Sequence, residues 1–268
     1  MPAARAATID RMSQDTASHR HLVILTGASR GMGLAMARQL LTTDRTLLCL
    51  ARGRSEALAE EALSAGTRLE QWTADLSQPL DIAARLASWL AAPAAGTYAS
   101  ATLINNAGVV PRIAPMGDTR AEDVAHGLRV GLEAPMALTA VFLRATAHWP
   151  GARRVLNISS GLGRRPMASQ GTYCAAKAGM DHFTRCLALE EAARPNGARV
   201  CSLAPGVIDT DMQVHLRAAD AADFPDVQGF ANLKSQGMLT SPDEAARRVL
   251  AFLASESFGR EAVADVRS

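Results

Sequence analysis

The stretch His21-Leu22-Val23-Ile24-Leu25-Thr26-Gly27-Ala28-Ser29-Arg30-Gly31-Met32-Gly33 decides the fold of this chain. It begins as an apolar run, turns at three glycines and continues into an Ala-, Leu- and Met-rich segment that reaches about Leu41. Strand, glycine turn and helix in this order are typical of a dinucleotide-binding unit, because backbone N–H groups at the helix N-terminus can approach a phosphate. The spacing Gly-x-x-x-Gly-x-Gly directly after the first strand therefore predicts an anion-binding turn.

The rest of the chain alternates apolar runs with helix-compatible segments. We predict an α/β protein with a single-domain Rossmann-type doubly wound fold, a parallel sheet carrying helices on both faces. A ligand should then lie in the crevice at the carboxyl ends of the strands. The further strands are expected at 47–51, 68–73, 101–104, 155–159, 197–203 and 262–266.

Three other segments complete the predicted organisation. Residues 1–19 lack periodicity, and we predict a disordered extension ahead of a domain at 20–268. Residues 213–240 are the longest insertion, and their place after the sixth strand predicts a lid over the substrate. Ser241 followed by Pro242 is typical of a helix start.

Composition narrows the functional classes. The chain has 268 residues, 48% of them hydrophobic and 20% charged, and a net charge of +2. This slight excess gives no reason to expect nucleic acid or a membrane as a partner, and no apolar run reaches the ~18 residues of a membrane span. Four cysteines without Cys-x-x-Cys spacing indicate buried thiols of a reducing compartment, so we expect a cytoplasmic protein. The six histidines show no metal-ligand spacing, and we expect no metal.

A second stretch, from Ser160 to Lys177, carries the predicted chemistry. A strand-like run ends at Ser160, a loop follows, and Tyr173 and Lys177 then stand four residues apart on a helix-compatible run. On a helix these two side chains share one face. A phenol titrates near pH ~10 and a nearby cation lowers that pKa, so we expect Tyr173 to exchange a proton with a substrate oxygen held by Ser160. By itself the spacing also fits a surface pair with a snorkelling lysine.

The residue that closes the second strand predicts the cofactor. In dinucleotide-binding folds an acid at this place accepts the free ribose 2′-hydroxyl and selects NAD. This chain instead has Arg52 there, and Arg30 in the glycine turn. Two guanidiniums suit a 2′-phosphate, so we predict NADP(H); an arginine that only solvates a loop is the alternative.

Taken together, the motifs resemble those of the short-chain dehydrogenase/reductase family over residues 21–266. They are, in order, Thr26-Gly27-x-x-x-Gly31-x-Gly33, Asp75, Asn105-Asn106-Ala107-Gly108, Ser160, Tyr173-x-x-x-Lys177 and Pro205-Gly206-x-x-x-Thr210. The resemblance implies a seven-stranded parallel sheet in the order 3-2-1-4-5-6-7. It also implies nicotinamide-dependent carbonyl or alcohol chemistry and a homodimer or homotetramer.

The resemblance assigns roles to these residues. Tyr173 would be the acid/base, Ser160 would orient the substrate oxygen, and Lys177 would hold the nicotinamide ribose. Asp75 would bind the adenine amino group, and Asn105 would contact the cofactor beside the sheet. The cofactor set is Gly27, Ser29, Arg30, Gly31, Met32, Gly33, Arg52, Asp75, Leu76, Asn105, Ala107, Gly108, Tyr173, Lys177, Pro205, Gly206, Ile208 and Thr210. The substrate set is Ser160, Gly161, Leu162, Tyr173, Gly206, Met212 and Asp265.

Within the family, the chain is most similar to the sepiapterin reductase and benzil reductase branch. The similarity lies in residues 206–213, in Phe224-Pro225, in 239–244 and in 132–139. It implies reduction of ketones and vicinal diketones with NADPH. An acid in the last strand anchors the pterin in sepiapterin reductases, and Asp265 falls at the matching place; a solvent-exposed aspartate fits that place equally well.

One position departs from the family pattern. A long helical stretch is expected over 118–149, and within it Gly131 stands where the family usually carries an asparagine that holds a proton-relaying water. Glycine permits an irregular backbone but supplies no amide. Two alternatives to an NADPH-dependent carbonyl reductase therefore stay open. One is an NADP(H)-binding homologue with weak or no turnover, and the other is a 3-oxoacyl- or hydroxysteroid-type reductase.

Overall fold

The computed structural model describes residues 20–94 and 96–267, so the extension predicted at 1–19 lies outside the described residues. The strands are β1 His21–Thr26, β2 Arg45–Ala51, β3 Arg68–Thr73, β4 Ser100–Asn105, β5 Ala152–Ile158, β6 Arg199–Ala204 and β7 Val263–Asp265. They form one parallel sheet of seven strands in the order β3-β2-β1-β4-β5-β6-β7. The predicted topology is confirmed.

Helices connect the strands and cover both faces of the sheet. They are α1 Gly31–Gln39, α2 Glu56–Ser64, α3 Pro79–Ala91, α4 Ala121–Leu128, α5 Ala134–Ala145, α6 Gly171–Ala192, α7 Asp211–Arg217, α8 Val227–Ser235 and α9 Pro242–Ala254. Short 3₁₀ turns lie at Met116–Asp118 and Gly161–Gly163. Because every strand runs in the same direction, all carboxyl ends meet at one edge of the sheet.

The stretch predicted as one long helix is divided in the structure. A π-helical turn, Arg129–Glu133, separates α4 from α5 and contains Gly131. Pro135 stands in the first turn of α5, where a residue without a backbone N–H is tolerated. The helical path therefore continues across the turn, but with the wider spacing that such turns produce.

The core consists of two apolar clusters, one against each face of the sheet. One cluster packs α3, α5 and α6 onto the strands, with Leu86 and Phe142 fully buried. The other packs α1 and α9, with Met36 and Val249 fully buried. Each such side chain contributes about 1.5–3 kcal/mol by leaving water, so these clusters hold the strand ends in place.

The glycine turn is shaped by close backbone contacts. Gly27 has φ +71°, and a Cβ on it would lie 2.9 Å from the Cα of Ala107. A Cβ on Gly33 would lie 2.0 Å from the carbonyl oxygen of Gly27. Neither position accepts a side chain without moving backbone, so both glycines are required for α1 to start directly behind β1.

The segment 213–240 is folded and packed. Phe224 is fully buried and stacks on Phe230 of α8, with ring centroids 5.6 Å apart. Leu216 and Ile113 complete this small apolar cluster. The predicted helix start after the segment is present, because the Ser241 hydroxyl caps α9 by accepting from the backbone N–H of Glu244 at 3.2 Å.

The cysteines only partly match the expectation of buried thiols. Cys49 and Cys201 are buried, whereas Cys186 is exposed on α6. The expectation was wrong for Cys186 because an apolar sequence neighbourhood does not tell which face of a helix a residue occupies. In the part of the chain that the structure describes, no helix has the length and apolarity needed to cross a bilayer.

Candidate active site

A cavity of about 640 Å³ opens at the carboxyl ends of the strands. Every predicted site residue lines it except Asn105 and Asp265. The cavity thus brings the glycine turn, the end of β2, the Ser160 loop and the face of α6 that carries Tyr173 into one space. Within residues 20–94 and 96–267 no cluster of potential metal ligands accompanies them.

Asn105 lies in the core and not in the cavity. It is 1% exposed, and its amide donates to Asn157 Oδ1 at 2.8 Å and to Thr139 Oγ1 at 3.1 Å. The next residue, Asn106, lines the cavity and donates to the carbonyl oxygen of Thr26 at 2.9 Å. Successive strand residues point to opposite sides, so the motif alone did not tell which asparagine faces the ligand.

The cavity also contains residues that the sequence analysis did not assign. These are, among others, Asn106, His126, Arg165, Gln170, Gln213 and Arg267. Gln213 is 7% exposed, and its Oε1 has no hydrogen-bond partner within the described residues. Asn106 belongs to a quoted motif and Gln213 ends the segment 206–213, so the sequence did contain a signal for these two residues. Nothing in the sequence indicated that His126 or Arg267 lines the cavity.

Lys177 is buried at the floor of the cavity. Its Nζ donates to the carbonyl oxygen of Ile158 at 2.7 Å and lies 5.7 Å from the ring centroid of Tyr173. The predicted shared face of α6 is therefore present. Burial lowers the pKa of Lys177 to about 8, because an apolar surrounding disfavours the ammonium, and the carboxylate of Asp181 opposes this shift.

The pKa of Tyr173 moves in the direction opposite to the prediction. Burial raises it, because the phenolate loses its hydration, while a hydrogen bond with the Ser160 hydroxyl opposes the rise. The expected lowering by Lys177 is wrong for this arrangement, since the ammonium bonds to Ile158 and not to the phenolic oxygen. Tyr173 consequently remains a protonated phenol, a proton donor, at neutral pH.

A buried carboxylate supports Lys177 from the next turn of α6. Asp181 is 1% exposed and accepts from Ser202 Oγ at 2.7 Å. Its second oxygen lies 3.3 Å from Arg164 Nε, and Arg164 in turn donates to the carbonyl oxygen of Ala264 at 2.7 Å. The loop after Ser160 is thereby fixed to β7.

Asp265 belongs to the same network. Its carboxylate lies 4.0 Å from Arg164 and accepts from Arg267 at 2.7 Å. Both cations lower the pKa of Asp265, Arg267 by the larger amount through its hydrogen bond. Asp265 does not line the cavity, and its carboxylate is engaged by these two cations.

A pH profile tests the state of Lys177. We expect kcat/KM for ketone reduction to be level from about pH 6 and to fall once the pH exceeds about 8, where the ammonium loses its proton. Asp181→Asn should move this fall to lower pH, because the carboxylate that raises the pKa of Lys177 is removed. A profile of both proteins that stays level to about pH 9.5 would contradict this assignment.

The glycine turn provides an anion site at the other end of the cavity. Arg30 precedes α1 without capping it through its side chain, and the first turn contains no acid. The first N–H groups of a helix lack intrahelical partners, so here they are open to a phosphate. This donor set fits the pyrophosphate of a dinucleotide.

The two arginines predicted for a 2′-phosphate differ in their surroundings. Arg30 lies 2.9 Å from Asp211, and both side chains are exposed. Arg52 is exposed and forms no ion pair with another described residue. Near it, Asp75 accepts from the backbone N–H of Ser77 at 2.9 Å, which lowers the pKa of Asp75. Arg52 is therefore the guanidinium that is free to meet an added phosphate.

Gly131 packs closely against α6. A Cβ at this position would lie 3.1 Å from the Cβ of Ala176, the residue before Lys177. A larger residue there requires α6 to shift by a few tenths of an ångström. The glycine thus allows the π turn to approach Lys177, in addition to lacking the amide of the family pattern.

Comparison with known proteins places this site in a family. The sequence pattern of the short chain dehydrogenase family matches residues 21–221, and the chain belongs to that family. The fold and the resemblance stated above are thereby confirmed.

Among characterised relatives, benzil reductase ((S)-benzoin forming) of Bacillus cereus is 34% identical over 236 residues, covering 88% of this chain and 95% of the relative. Sepiapterin reductase of Bos taurus is 33% identical over 250 residues, covering 89% and 91%. A metagenomic short-chain oxidoreductase solved in complex with NADP is 27% identical, with a TM-score of 0.67 and coverage of 93% and 96%. The chain is therefore an oxidoreductase of the carbonyl reductase kind.

Proposed function

We propose that the protein is an NADPH-dependent carbonyl reductase that acts on a ketone or vicinal diketone, with Tyr173 as general acid. The observation that carries the proposal is that Ser160, Tyr173 and Lys177 share one cavity with the glycine turn. The names of the relatives support the substrate class, since they are a benzil reductase and a sepiapterin reductase.

Each residue of the site has its own role in the proposed reaction. Bound NADPH supplies the hydride that the carbonyl carbon accepts. The phenol of Tyr173 donates its proton to the carbonyl oxygen, and Ser160 holds that oxygen by a hydrogen bond. Lys177 is buried beneath the ring with its Nζ bonded to the carbonyl oxygen of Ile158, and it would hold the nicotinamide ribose of the bound cofactor. Burial raises the pKa of Tyr173, so the phenol carries its proton at neutral pH and is available as the acid.

A substrate panel tests the proposal. NADPH oxidation should be measured with benzil, 1-phenyl-1,2-propanedione, an acetoacetyl thioester and a 3-oxosteroid. Turnover of the diketones at higher kcat/KM than the other two supports the proposal. Preference for the thioester or the steroid would favour the 3-oxoacyl- or hydroxysteroid-type alternative, which shares the catalytic residues. NADPH binding without turnover of any compound would favour the homologue with weak or no activity, which Gly131 motivates.

The preference for NADPH is expected to depend on Arg52. We expect Arg52→Gln to lower the ratio of kcat/KM for NADPH to that for NADH by about 10- to 100-fold, since one charged hydrogen-bond donor contributes about 1.5–3 kcal/mol. Arg54→Gln is the matched control, because Arg54 is exposed two residues away and does not line the cavity. A wild-type preference for NADH would refute the NADP(H) assignment, and equal ratios in both variants would refute the role of Arg52.

We further propose a cytoplasmic homodimer or homotetramer. Two exposed apolar side chains support the assembly, Met136 on α5 at 40% exposed and Leu189 on α6 at 77%. Both helices lie on the same face of the sheet, so an interface there would cover both residues. Light scattering after gel filtration measures the state directly.

A further inference from the structure

Several charges that line the cavity are paired within the protein. Arg30 lies 2.9 Å from Asp211, and Arg267 lies 2.7 Å from Asp265. The carboxylate of Asp209 has two cationic neighbours within 4.0 Å. A ligand that met only these groups would encounter little net charge.

Two arginines of the cavity lining differ from these charges in having no carboxylate partner among the described residues. Within residues 20–94 and 96–267, neither Arg52 nor Arg165 has a carboxylate within ion-pair distance. Arg52 follows β2 and Arg165 follows the loop after β5, and these strands are three positions apart in the sheet. At ~4.8 Å per strand, the ends of β2 and β5 are about 14 Å apart. Arg52 therefore follows a strand end well separated from the one that leads to Ser160 and Arg165.

The loop holds Arg165 on the side where the reacting carbonyl must lie. Its backbone N–H donates to the carbonyl oxygen of Gly161 at 3.2 Å, one residue after Ser160. The preceding residue, Arg164, is tied to Asp181 and to Ala264. The backbone of the loop after Ser160 is therefore anchored, while the Arg165 side chain stays exposed at the cavity lining.

We propose that Arg165 binds an anionic group of the substrate, and that the substrate class is a 2-oxo acid with an apolar substituent. This inference rests on the proposed reductase function and narrows its substrate. A planar guanidinium matches a carboxylate by two parallel hydrogen bonds. Leu216 and Phe230 also line the cavity and provide an apolar surface for the substituent.

The reaction leaves the carboxylate unchanged. The ketone carbon gains the hydride of NADPH, and the C=O double bond becomes a C–O single bond. The oxygen takes the proton of Tyr173, which solvent replaces. The products are a 2-hydroxy acid and NADP⁺, so one hydride and one proton are consumed for each ketone.

Benzoylformate and 1-phenyl-1,2-propanedione form a matched pair of probes, because they differ by a carboxylate in place of an acetyl group. We expect Arg165→Gln to lower the ratio of kcat/KM for benzoylformate to that for the dione at least tenfold, mainly through KM. Arg165→Lys should retain part of the ratio, because the charge remains. Arg54→Gln is the control, since this exposed arginine lines neither the site cavity nor the neighbouring cavity of about 130 Å³. The wild-type ratio should also fall between 0.02 and 0.5 M salt, because exposed charges are screened.

A binding measurement separates this inference from the proposed function. Benzoate and benzyl alcohol should be titrated calorimetrically into the NADP⁺-saturated wild type, Arg165→Gln and Arg54→Gln. If Arg165→Gln alone weakens benzoate binding, the anion site is supported. If, in addition, neither probe is turned over, only the reductase function fails. Equal benzoate affinity and equal kinetic ratios in all three proteins would overturn the role of Arg165. Turnover of the diketone in the same experiments would still support the reductase function.

Discussion

Replacing Tyr173 with phenylalanine is expected to lower kcat for ketone reduction by about 10³-fold, because general acid catalysis contributes about 10²–10⁴-fold. The substitution removes the phenolic proton and keeps the ring beneath which Lys177 is packed. NADPH affinity should change little, since the glycine turn and Arg52 are untouched. Initial rates at saturating NADPH and a fluorescence titration of NADPH measure the two effects separately.

The chain contains a matched control for this substitution. Tyr98 is the only other tyrosine, and it stacks on Trp149 with ring centroids 5.5 Å apart, outside the cavity lining. Tyr98→Phe should therefore keep kcat within about twofold of the wild type. If Tyr173→Phe kept more than a tenth of the wild-type kcat, another group would have to supply the proton.

The second large effect is expected on stability and far from the cavity. Replacing Glu191 with glutamine should lower the free energy of unfolding by about 3–5 kcal/mol, because it leaves the buried Arg153 charge without its partner. Arg153 and Glu191 are 3% and 2% exposed, with their charged atoms 3.7 Å apart. Glu191 also accepts from the backbone N–H of Ala198 at 2.8 Å, which joins α6 to the start of β6. Guanidinium unfolding monitored by circular dichroism gives the free energy.

Two further variants show whether the lost charge is the cause. Glu190→Gln removes an exposed carboxylate next to Glu191 and should change stability by no more than about 0.5 kcal/mol. Arg153→Met combined with Glu191→Leu should recover most of the loss, because an apolar pair needs no charge compensation. Equal losses from Glu190→Gln and Glu191→Gln would show that the buried pair has no special role.

Local sequence rules predicted the elements whose determinants lie within a few residues. The inner strands, such as β1, β2 and β4, were evident as apolar runs, since both of their faces are covered. The start of α9 followed from Ser241 and Pro242, whose capping geometry needs no distant partner. The shared face of Tyr173 and Lys177 followed from helical spacing alone.

The predictions that failed depended on what packs against a residue. Asn105 and Asn106 are adjacent, and only the position of the sheet edge decides that the second one faces the cavity. The exposure of Cys186 depends on which side of α6 meets the core. Asp265 was expected in the substrate set, but it does not line the cavity, and its carboxylate is engaged by Arg164, which is distant in sequence, and by its near neighbour Arg267.

The sequence by itself determined the order of the elements, the family and the residue types of the site, because these follow from periodicity, turn chemistry and motif order. Only the tertiary structure decided the protonation of Tyr173 and Lys177, the burial of Asp181 beside them and the absence of an ion-pair partner for Arg165 among the described residues. The physical reason is that desolvation and charge pairing depend on distances between segments that are remote in the chain, and motif spacing contains no information about those distances.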